Sequence, residues 1–221
     1  MIEVVEREYK VGEGTKLKIG NVSGTIKIEG YNGDVIKLRA EKKWGLLGAE
    51  PKIKVKKEGN VLVIKAEQKR SFGINIGGSA VNFEILIPKG TEIEKAGTVN
   101  GSISIKGVRE IVKASAVNGS IVLENCFFEK ASTVNGAIKA IFSVIRGDSV
   151  ISTVNGSIEV YIPRKADVEV KASSVNGKIT SEFPGELKSS HGPKSFEAVL
   201  GEGRYKIKIS TVNGSIAIRA L

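Results

Sequence analysis

The sequence predicts an all-β protein, more narrowly a parallel β-solenoid (β-helix) of short rungs with a β-rich N-terminal part. Three observations predict this fold. The tripeptide Val-Asn-Gly occurs six times in the 221 residues. Apolar and polar residues alternate in short runs, which is typical of strands with one buried face. Finally, no long stretch has the apolar spacing of an amphipathic helix. Internal repetition at a period near 20 residues indicates stacked units that cannot bury their apolar sides alone.

The repeat is a longer string, usually Ser/Thr-Val-Asn-Gly-Ser-Ile, and its asparagines follow one another after 18, 17, 20, 21 and 37 residues. The last gap is about two periods, so it predicts a rung whose turn has diverged, together with a loop-rich insertion between Phe183 and Arg204. We expect each Asn-Gly pair to be a corner and the corners to lie in a column. The corner residues are Asn100, Gly101, Asn118, Gly119, Asn135, Gly136, Asn155, Gly156, Asn176, Gly177, Asn213 and Gly214.

The corner residues also suggest a conformation and an alternative fold. Asn-Gly tolerates a positive φ at low cost, so we expect the corner glycines to adopt one. Asn-Gly is equally a strong hairpin signal, so a meander of antiparallel hairpins is the alternative. Recurrence of the same string once per period favours the solenoid. In it, the valine before each Asn forms a second column, and the isoleucines that follow lie in the core: Ile103, Ile121, Ile138, Ile158, Ile179 and Ile216.

The first part of the chain is β-like but lacks the strict repeat. Residues 22–26, 31–35 and 80–85 look like degenerate copies, and residues 52–56 and 61–65 predict a hairpin. We therefore divide the chain into residues 1–94, a β-rich part with degenerate repeats, and residues 95–221, the regular repeats. The two are expected to be continuous as one domain.

Composition limits the classes that remain. With 41% apolar residues the chain can form a substantial core. The single cysteine, Cys126, excludes an intramolecular disulfide and the usual cysteine-based zinc sites. No run of residues has the length and hydropathy of a membrane span or a secretion signal. The sequence as given therefore predicts a cytoplasmic location, or association with the cell envelope if it belongs to a longer protein.

The charge of +10 is concentrated locally. Residues 37–70 hold eleven Lys or Arg against four Glu, a net of +7. Alternation along residues 52–56 places three lysines on one face. We expect a contact for an anionic partner here, with the tryptophan as an apolar neighbour; the alternatives are a solvated edge strand and an apolar cap. The candidate residues are Lys37, Arg39, Trp44, Lys52, Lys54 and Lys56. No specific nucleic-acid motif is present.

Residues suited to catalysis are scarce. His191 is the only histidine, and the three aspartates, Asp34, Asp148 and Asp167, are isolated in sequence. No repeat carries a carboxylate at a shared position, so no catalytic residues, cofactor or metal are expected. The prediction is a non-enzymatic scaffold or interaction module for an unknown protein, polysaccharide or envelope component. Because β-helices can bring distant carboxylates together, a polysaccharide-active enzyme is the alternative.

Four segments carry a resemblance to a known family: residues 22–35, 58–65, 83–90 and the ending Gly-Glu-Gly-Arg-Tyr-Lys-Ile-Lys-Ile-Ser-Thr-Val-Asn-Gly-Ser-Ile at residues 201–216. With the tandem Thr-Val-Asn-Gly-Ser-Ile units, they resemble the putative adhesin family of β-solenoid domains of unknown function. The resemblance implies a regular β-solenoid and an adhesion or envelope-associated role. It implies no catalytic residues.

Overall fold

The computed structural model describes residues 1–46, 48–68, 78–188 and 193–221, so His191 and Leu47 lie outside the described residues. Every regular element in these ranges is a β-strand. In chain order the strands are β1 (Ile2–Lys10), β2 (Lys16–Ser23), β3 (Ile26–Tyr31), β4 (Val35–Trp44), β5 (Lys52–Glu58), β6 (Val61–Glu67), β7 (Ser79–Pro88), β8 (Glu92–Asn100), β9 (Ile103–Lys106), β10 (Glu110–Asn118), β11 (Ile121–Glu124), β12 (Phe127–Asn135), β13 (Ile138–Ile141), β14 (Ser149–Asn155), β15 (Ile158–Ile162), β16 (Val168–Asn176), β17 (Ile179–Ser181), β18 (Glu186–Lys188), β19 (Lys194–Leu200), β20 (Tyr205–Asn213) and β21 (Ile216–Ala220).

The strands form two large sheets. The ten-stranded sheet has the order β1-β4-β7-β3-β9-β11-β13-β15-β21-β17, and the eleven-stranded sheet has the order β18-β19-β16-β20-β14-β12-β10-β8-β2-β6-β5. Seven pairs of strands, such as β8 with β9, are joined by a two-residue corner that carries the chain from the eleven-stranded to the ten-stranded sheet. We call each such pair a rung.

Both sheets are mixed, which corrects the expectation of a wholly parallel arrangement. All contacts between neighbouring rungs are parallel, as between β10 and β12 or β11 and β13. Antiparallel pairs occur at the ends, where β1 pairs with β4, β4 with β7, β5 with β6, and β19 with β16 and β18. An antiparallel strand can be added by a short turn, whereas a parallel one needs a crossover.

The core lies between the two sheets. On β15 and β20 every second residue is buried, as the alternation in sequence predicts, whereas β8, β10 and β12 each contain a break in the alternation. The isoleucine that follows each corner is at most 7% exposed in all six repeats. These isoleucines pair in register from rung to rung, so they form a continuous internal row. Within the core, the rings of Phe128 and Phe142 stack with centroids 4.7 Å apart.

The spatial order of the rungs differs from their order in the chain. From one end it is β2–β3, β8–β9, β10–β11, β12–β13, β14–β15, β20–β21 and β16–β17. The C-terminal rung therefore lies between two rungs that precede it in sequence. The 37-residue gap contains no diverged corner among its described residues. It holds β17, β18 and β19, which lead the chain around the end of the stack, and then β20, which returns to the vacant position.

The N-terminal part shares both sheets with the repeats. The rung β2–β3 stacks directly on β8–β9, with Ser23 opposite Asn100 and Ile26 opposite Ile103. The boundary drawn at residues 94 and 95 falls inside β8. Strands β5 and β6 form the hairpin that the sequence predicts. Within the described ranges, no helix is long and apolar enough to cross a membrane.

Candidate interaction surfaces

The six corner asparagines form one hydrogen-bonded row along an edge of the stack. Five of the six side-chain amides donate to the Oδ1 of the asparagine on the neighbouring rung, at 2.8 or 2.9 Å, and Asn100 at the end of the row accepts. The backbone follows the same pattern, since the N–H of Gly136 donates to the carbonyl of Asn155 at 3.0 Å. In space the row runs through Asn100, Asn118, Asn135, Asn155, Asn213 and Asn176.

The corner glycines are required for a different reason from the one the sequence suggested. None of the six has a positive φ; of the seven corners, only the one at Gly24, in the N-terminal rung, does. Instead, a Cβ on any of the six would lie between 1.8 and 2.2 Å from the carbonyl oxygen of the glycine on the next rung. The corners pack backbone against backbone, and only glycine leaves room for that approach.

Buried hydroxyl groups complete most corners. The Oγ1 of Thr133 donates to the carbonyl of Gly119 at 2.9 Å, and Thr153 and Thr211 make the same bond to the glycines below them at 3.0 Å. The rung β10–β11 has Ala116 at this position and therefore lacks the bond, and the hydroxyl of Thr98 on β8 has no hydrogen-bond partner. Where these bonds form, they hold a corner to its neighbour, and the outer faces of the strands are displayed in register.

The candidate basic contact is divided between the two sheets. Lys37 and Arg39 belong to β4 in the ten-stranded sheet, whereas Lys52, Lys54 and Lys56 belong to β5 in the eleven-stranded sheet. The six candidate residues therefore do not form one cluster on a single sheet. An amphipathic strand suits either sheet equally well, so alternation alone could not assign them.

The two basic side chains of β4 are paired with carboxylates. Arg39 lies 3.0 Å from Glu84 and 3.5 Å from Glu6, and Lys37 lies 3.6 Å from Glu8. All five groups line a concave surface of about 560 Å³ on the outer face of the ten-stranded sheet. This surface carries charges of both signs and offers no concentrated positive charge.

Trp44 lies beside a buried lysine at the end of β4. The Nζ of Lys42 is 5.6 Å from the centre of the indole ring, and it also contacts the carboxylates of Glu3, at 2.7 Å, and Glu50. Burial lowers the pKa of Lys42, but the hydrogen bonds to the two carboxylates outweigh burial and raise it above its ordinary value. Trp44 therefore helps to hold β1 and the loop after β4 together.

The three lysines of β5 do share an exposed face. Lys54 lies opposite Lys65 of β6 and is 2.7 Å from Glu67. Lys52 and Lys56 are exposed on either side of it. This part of the candidate contact stays a basic surface at the end of the eleven-stranded sheet.

Among the described residues, the carboxylates of the concave surface are exposed and the single cysteine is buried and protonated. The carboxylates of the concave surface are between 56% and 71% exposed where they pair with Arg39 and Lys37. Nothing there desolvates a carboxylic acid in the way that general acid catalysis requires. Among the described residues no three His, Cys, Asp or Glu side chains are placed to hold a metal ion. Burial, with a smaller contribution from Glu124, raises the pKa of the Cys126 thiol to about 12, which keeps it protonated and unreactive.

The outer face of the eleven-stranded sheet carries three parallel rows, of which the sequence pattern predicted only the column of valines. A lysine stands five residues before the Asn in five of the six repeats, and a serine or glycine stands three residues before it in all six. Lys18 and Gly20 occupy the same positions on the N-terminal rung. This spacing was visible in the sequence, but its meaning depends on the register. The lysine row is Lys18, Lys95, Lys113, Lys130, Lys208 and Lys171, interrupted by Val150.

The second row, the serine row, lies next to the lysine row: Gly20, Gly97, Ser115, Ser132, Ser152, Ser210 and Ser173. The third, the valine row, borders the corners, and its side chains are between 40% and 46% exposed: Val99, Val117, Val134, Val154, Val212 and Val175. The chain thus presents basic, hydroxyl and apolar groups side by side on the outer face of one sheet.

Comparison with known proteins gives a family and a fold. A family model described as Toastrack DUF4097 matches residues 98–219, which is more than half of the chain. No curated protein matches. A solved structure from Clostridium sporogenes, described as a "putative cell adhesion protein", is 15% identical with a TM-score of 0.53, covering 99% of this chain and 100% of that one. Another from Bacteroides fragilis, described as a "putative adhesin", is 14% identical with a TM-score of 0.37, covering 99% and 97%.

Proposed function

Because the chain belongs to the Toastrack DUF4097 family, we propose that it is a non-enzymatic, adhesin-like interaction module whose stacked rungs form a β-solenoid scaffold. One observation carries the proposal. The same residue types stand at the same place on successive rungs, held there by the asparagine row and the glycine corners. An enzyme gathers different groups at one point, whereas this chain repeats the same groups along its length. Repetition suits a partner that is itself extended or repetitive.

The module also has a proposed contact for an anionic partner on β5, through Lys52, Lys54 and Lys56. Two observations support this contact: the three lysines share an exposed face, and Lys65, which lies opposite Lys54, carries the same charge. The other three candidate residues contribute to this contact only indirectly, because they lie on β4 of the ten-stranded sheet and already contact other side chains. Lys37 and Arg39 pair with glutamates, and Trp44 contacts Lys42. An adhesin-like role requires display at the cell envelope, and fractionation of native cells would test that location.

The experiment measures binding and turnover together. Purified protein is incubated with cell envelopes of the native organism and, separately, with a panel of linear polysaccharides. We expect sedimentation with the envelopes and no new reducing ends or unsaturated sugars. Reversal of Lys52, Lys54 and Lys56 to Glu should weaken the salt-sensitive part of envelope binding and leave the melting temperature nearly unchanged, because exposed charges contribute little to stability.

The alternative, a polysaccharide-active enzyme, rests on the concave surface with its carboxylates Glu6, Glu8, Glu29 and Glu84. Chain shortening of any polysaccharide, abolished by Glu84→Gln, would establish the enzyme and overturn the scaffold proposal. Failure to sediment with envelopes from any growth condition would remove the adhesin-like role.

A further inference from the structure

The lysine row is a line of positive charge across the stack. Its members lie on seven neighbouring strands, counting the strand of Val150, so at roughly 4.8 Å per strand the row is about 29 Å long. Lys56 extends the line at one end, because it lies opposite Val63, which lies opposite Lys18. The spacing is shorter than the Debye length of about 8 Å in physiological salt, so the charges act together on a ligand.

Most of these charges are not neutralised by the protein. Within the described residues, no carboxylate lies within 4.0 Å of Lys95, Lys113, Lys130 or Lys208, while Lys18 and Lys171 have one partner each, Glu94 at 3.3 Å and Glu169 at 2.9 Å. The ten-stranded sheet differs, because there Lys106 pairs with Glu124 and Arg219 with Glu159. Like charges placed opposite one another on a sheet oppose folding, and the carboxylates that border the lysine row, such as Glu169 near Lys208, offset this repulsion only in part.

The groups beside the row indicate what would lie on it. Hydroxyl groups of the serine row can donate and accept hydrogen bonds, and the valine row offers small apolar contacts. On the other side, Glu92, Glu110 and Glu169 border the row and would repel an anion. A polyanion is therefore directed onto the lysine and serine rows. Resting on the proposed function, we propose that this face binds a linear anionic polysaccharide, its carboxylate or sulfate groups on the lysines and its hydroxyls on the serines.

Two other polyanionic partners fit the face less well. Single-stranded nucleic acid is held by aromatic side chains on which bases stack, and the three rows contain none. An anionic membrane is bound by a broad basic surface or by large apolar side chains that enter the lipid. Here the positive charge over strands β8, β10 and β12 is one lysine wide, the second lysine of β20, Lys206, lies 4.0 Å from Glu169, and the exposed apolar groups are valines. A single line of charge matches a single extended chain.

The test uses the whole protein and fluorescently labelled alginate, a linear polyuronate, as the probe. The row variant is Lys95→Thr, Lys113→Thr and Lys130→Thr together; the matched control is Lys27→Thr, Lys106→Thr and Lys139→Thr on the ten-stranded sheet, which removes the same charge. We expect the Kd of the row variant to rise at least about tenfold, and its salt dependence to fall by roughly one counterion per lysine. The Kd of the control should change less than about threefold.

Thermal melting of both variants shows whether they fold, and the row variant should melt no lower than the wild type because like charges have been removed. Equal loss of alginate binding in both variants would overturn the row as the site. Absence of salt-sensitive alginate binding, or tighter binding of oligothymidylate or phosphatidylglycerol vesicles than of alginate, would overturn the polysaccharide. If any of these results is found while envelope sedimentation persists, the proposed function stands and only this inference fails.

Discussion

The corner glycines are the residues with the least room to change. A Cβ on Gly136 would lie 2.2 Å from the carbonyl oxygen of Gly119, so alanine there must push two rungs apart. We expect Gly136→Ala to lower the free energy of unfolding by at least about 2 kcal/mol, as overpacking does elsewhere. Urea denaturation of the wild type and of Gly136→Ala measures this difference in the free energy of unfolding.

A matched glycine provides the control for this prediction. Gly97 lies in the serine row, where the nearest atom that a Cβ would meet is the rotatable Oγ of Ser115 at 3.4 Å. Gly97→Ala should change stability by less than about 0.5 kcal/mol. Similar effects at both positions would show that the close approach of the corners does not set the requirement for glycine.

Ala116 offers the opposite prediction, a gain of stability from one added hydroxyl. It occupies the position from which Thr133 and Thr153 donate to a corner carbonyl, and it is buried. Ala116→Thr should add a bond to the carbonyl of Gly101 and raise the free energy of unfolding by about 0.5–1.5 kcal/mol. Ala116→Val adds similar volume without the hydroxyl; if it stabilises equally, packing and not the hydrogen bond is responsible.

At the scale of single elements, what the sequence predicts depends on whether the information is local. The alternation in β15 and β20 and the hairpin of β5 and β6 are set by nearby residues, and the structure contains them. The sheet to which β4 or β5 belongs is not a local property, because an amphipathic strand packs equally well against either side of the core. For the same reason the candidate basic contact was drawn as one cluster although it lies on two sheets.

The role of a corner glycine is likewise not determined by the nearby sequence. A glycine that adopts a positive φ and one that permits a close backbone approach look identical in sequence. Gly201 and Gly203, in the turn between β19 and β20, are of the first kind, with φ of 63° and 68°. Gly136 and Gly156 are of the second kind. Only the neighbouring rung distinguishes them, and the sequence does not say which rung is the neighbour.

The turn between β19 and β20 gives a prediction about pH. Asp167 accepts hydrogen bonds from the backbone N–H groups of Glu202, at 2.8 Å, and Arg204, at 3.1 Å. The bond from Arg204 is the main reason that the pKa of Asp167 is lowered. A lowered pKa in the folded state stabilises the protein above the ordinary aspartate pKa of about 3.9, and this contribution is lost as the pH falls through the folded value.

We therefore expect Asp167→Ala to melt at a lower temperature than the wild type at neutral pH, with the difference shrinking below about pH 4 as the wild-type carboxylate becomes protonated. Asp34→Ala, in the exposed turn between β3 and β4, is the matched control that removes one exposed carboxylate. A constant difference across the acid range would show that the charge of Asp167 is not what holds the turn.

At the scale of the whole molecule, the insertion of the C-terminal rung sets this stack apart from a simple array. Repeat proteins commonly lose an end repeat without losing the rest, because each repeat contacts only its neighbours. Here β20–β21 is an internal rung: β16 pairs only with β19 and β20, and β17 pairs only with β21. The last residues of the chain therefore join the rung β16–β17 to the rest of the stack.

Removal of residues 201–221 should consequently do more than shorten the protein. It deletes four isoleucines that are at most 1% exposed, Ile207, Ile209, Ile216 and Ile218. At about 1.5–3 kcal/mol each, their burial contributes roughly 6–12 kcal/mol, comparable to the whole stability of a typical domain.

Removal of residues 1–10 instead deletes β1, an edge strand whose side chains are exposed or half-buried. We expect the first truncation to lose cooperative melting and bind a hydrophobic dye, and the second to lower the melting temperature modestly. If the C-terminal truncation melts as sharply as the N-terminal one, the C-terminal rung is not the element that holds the two ends of the stack together.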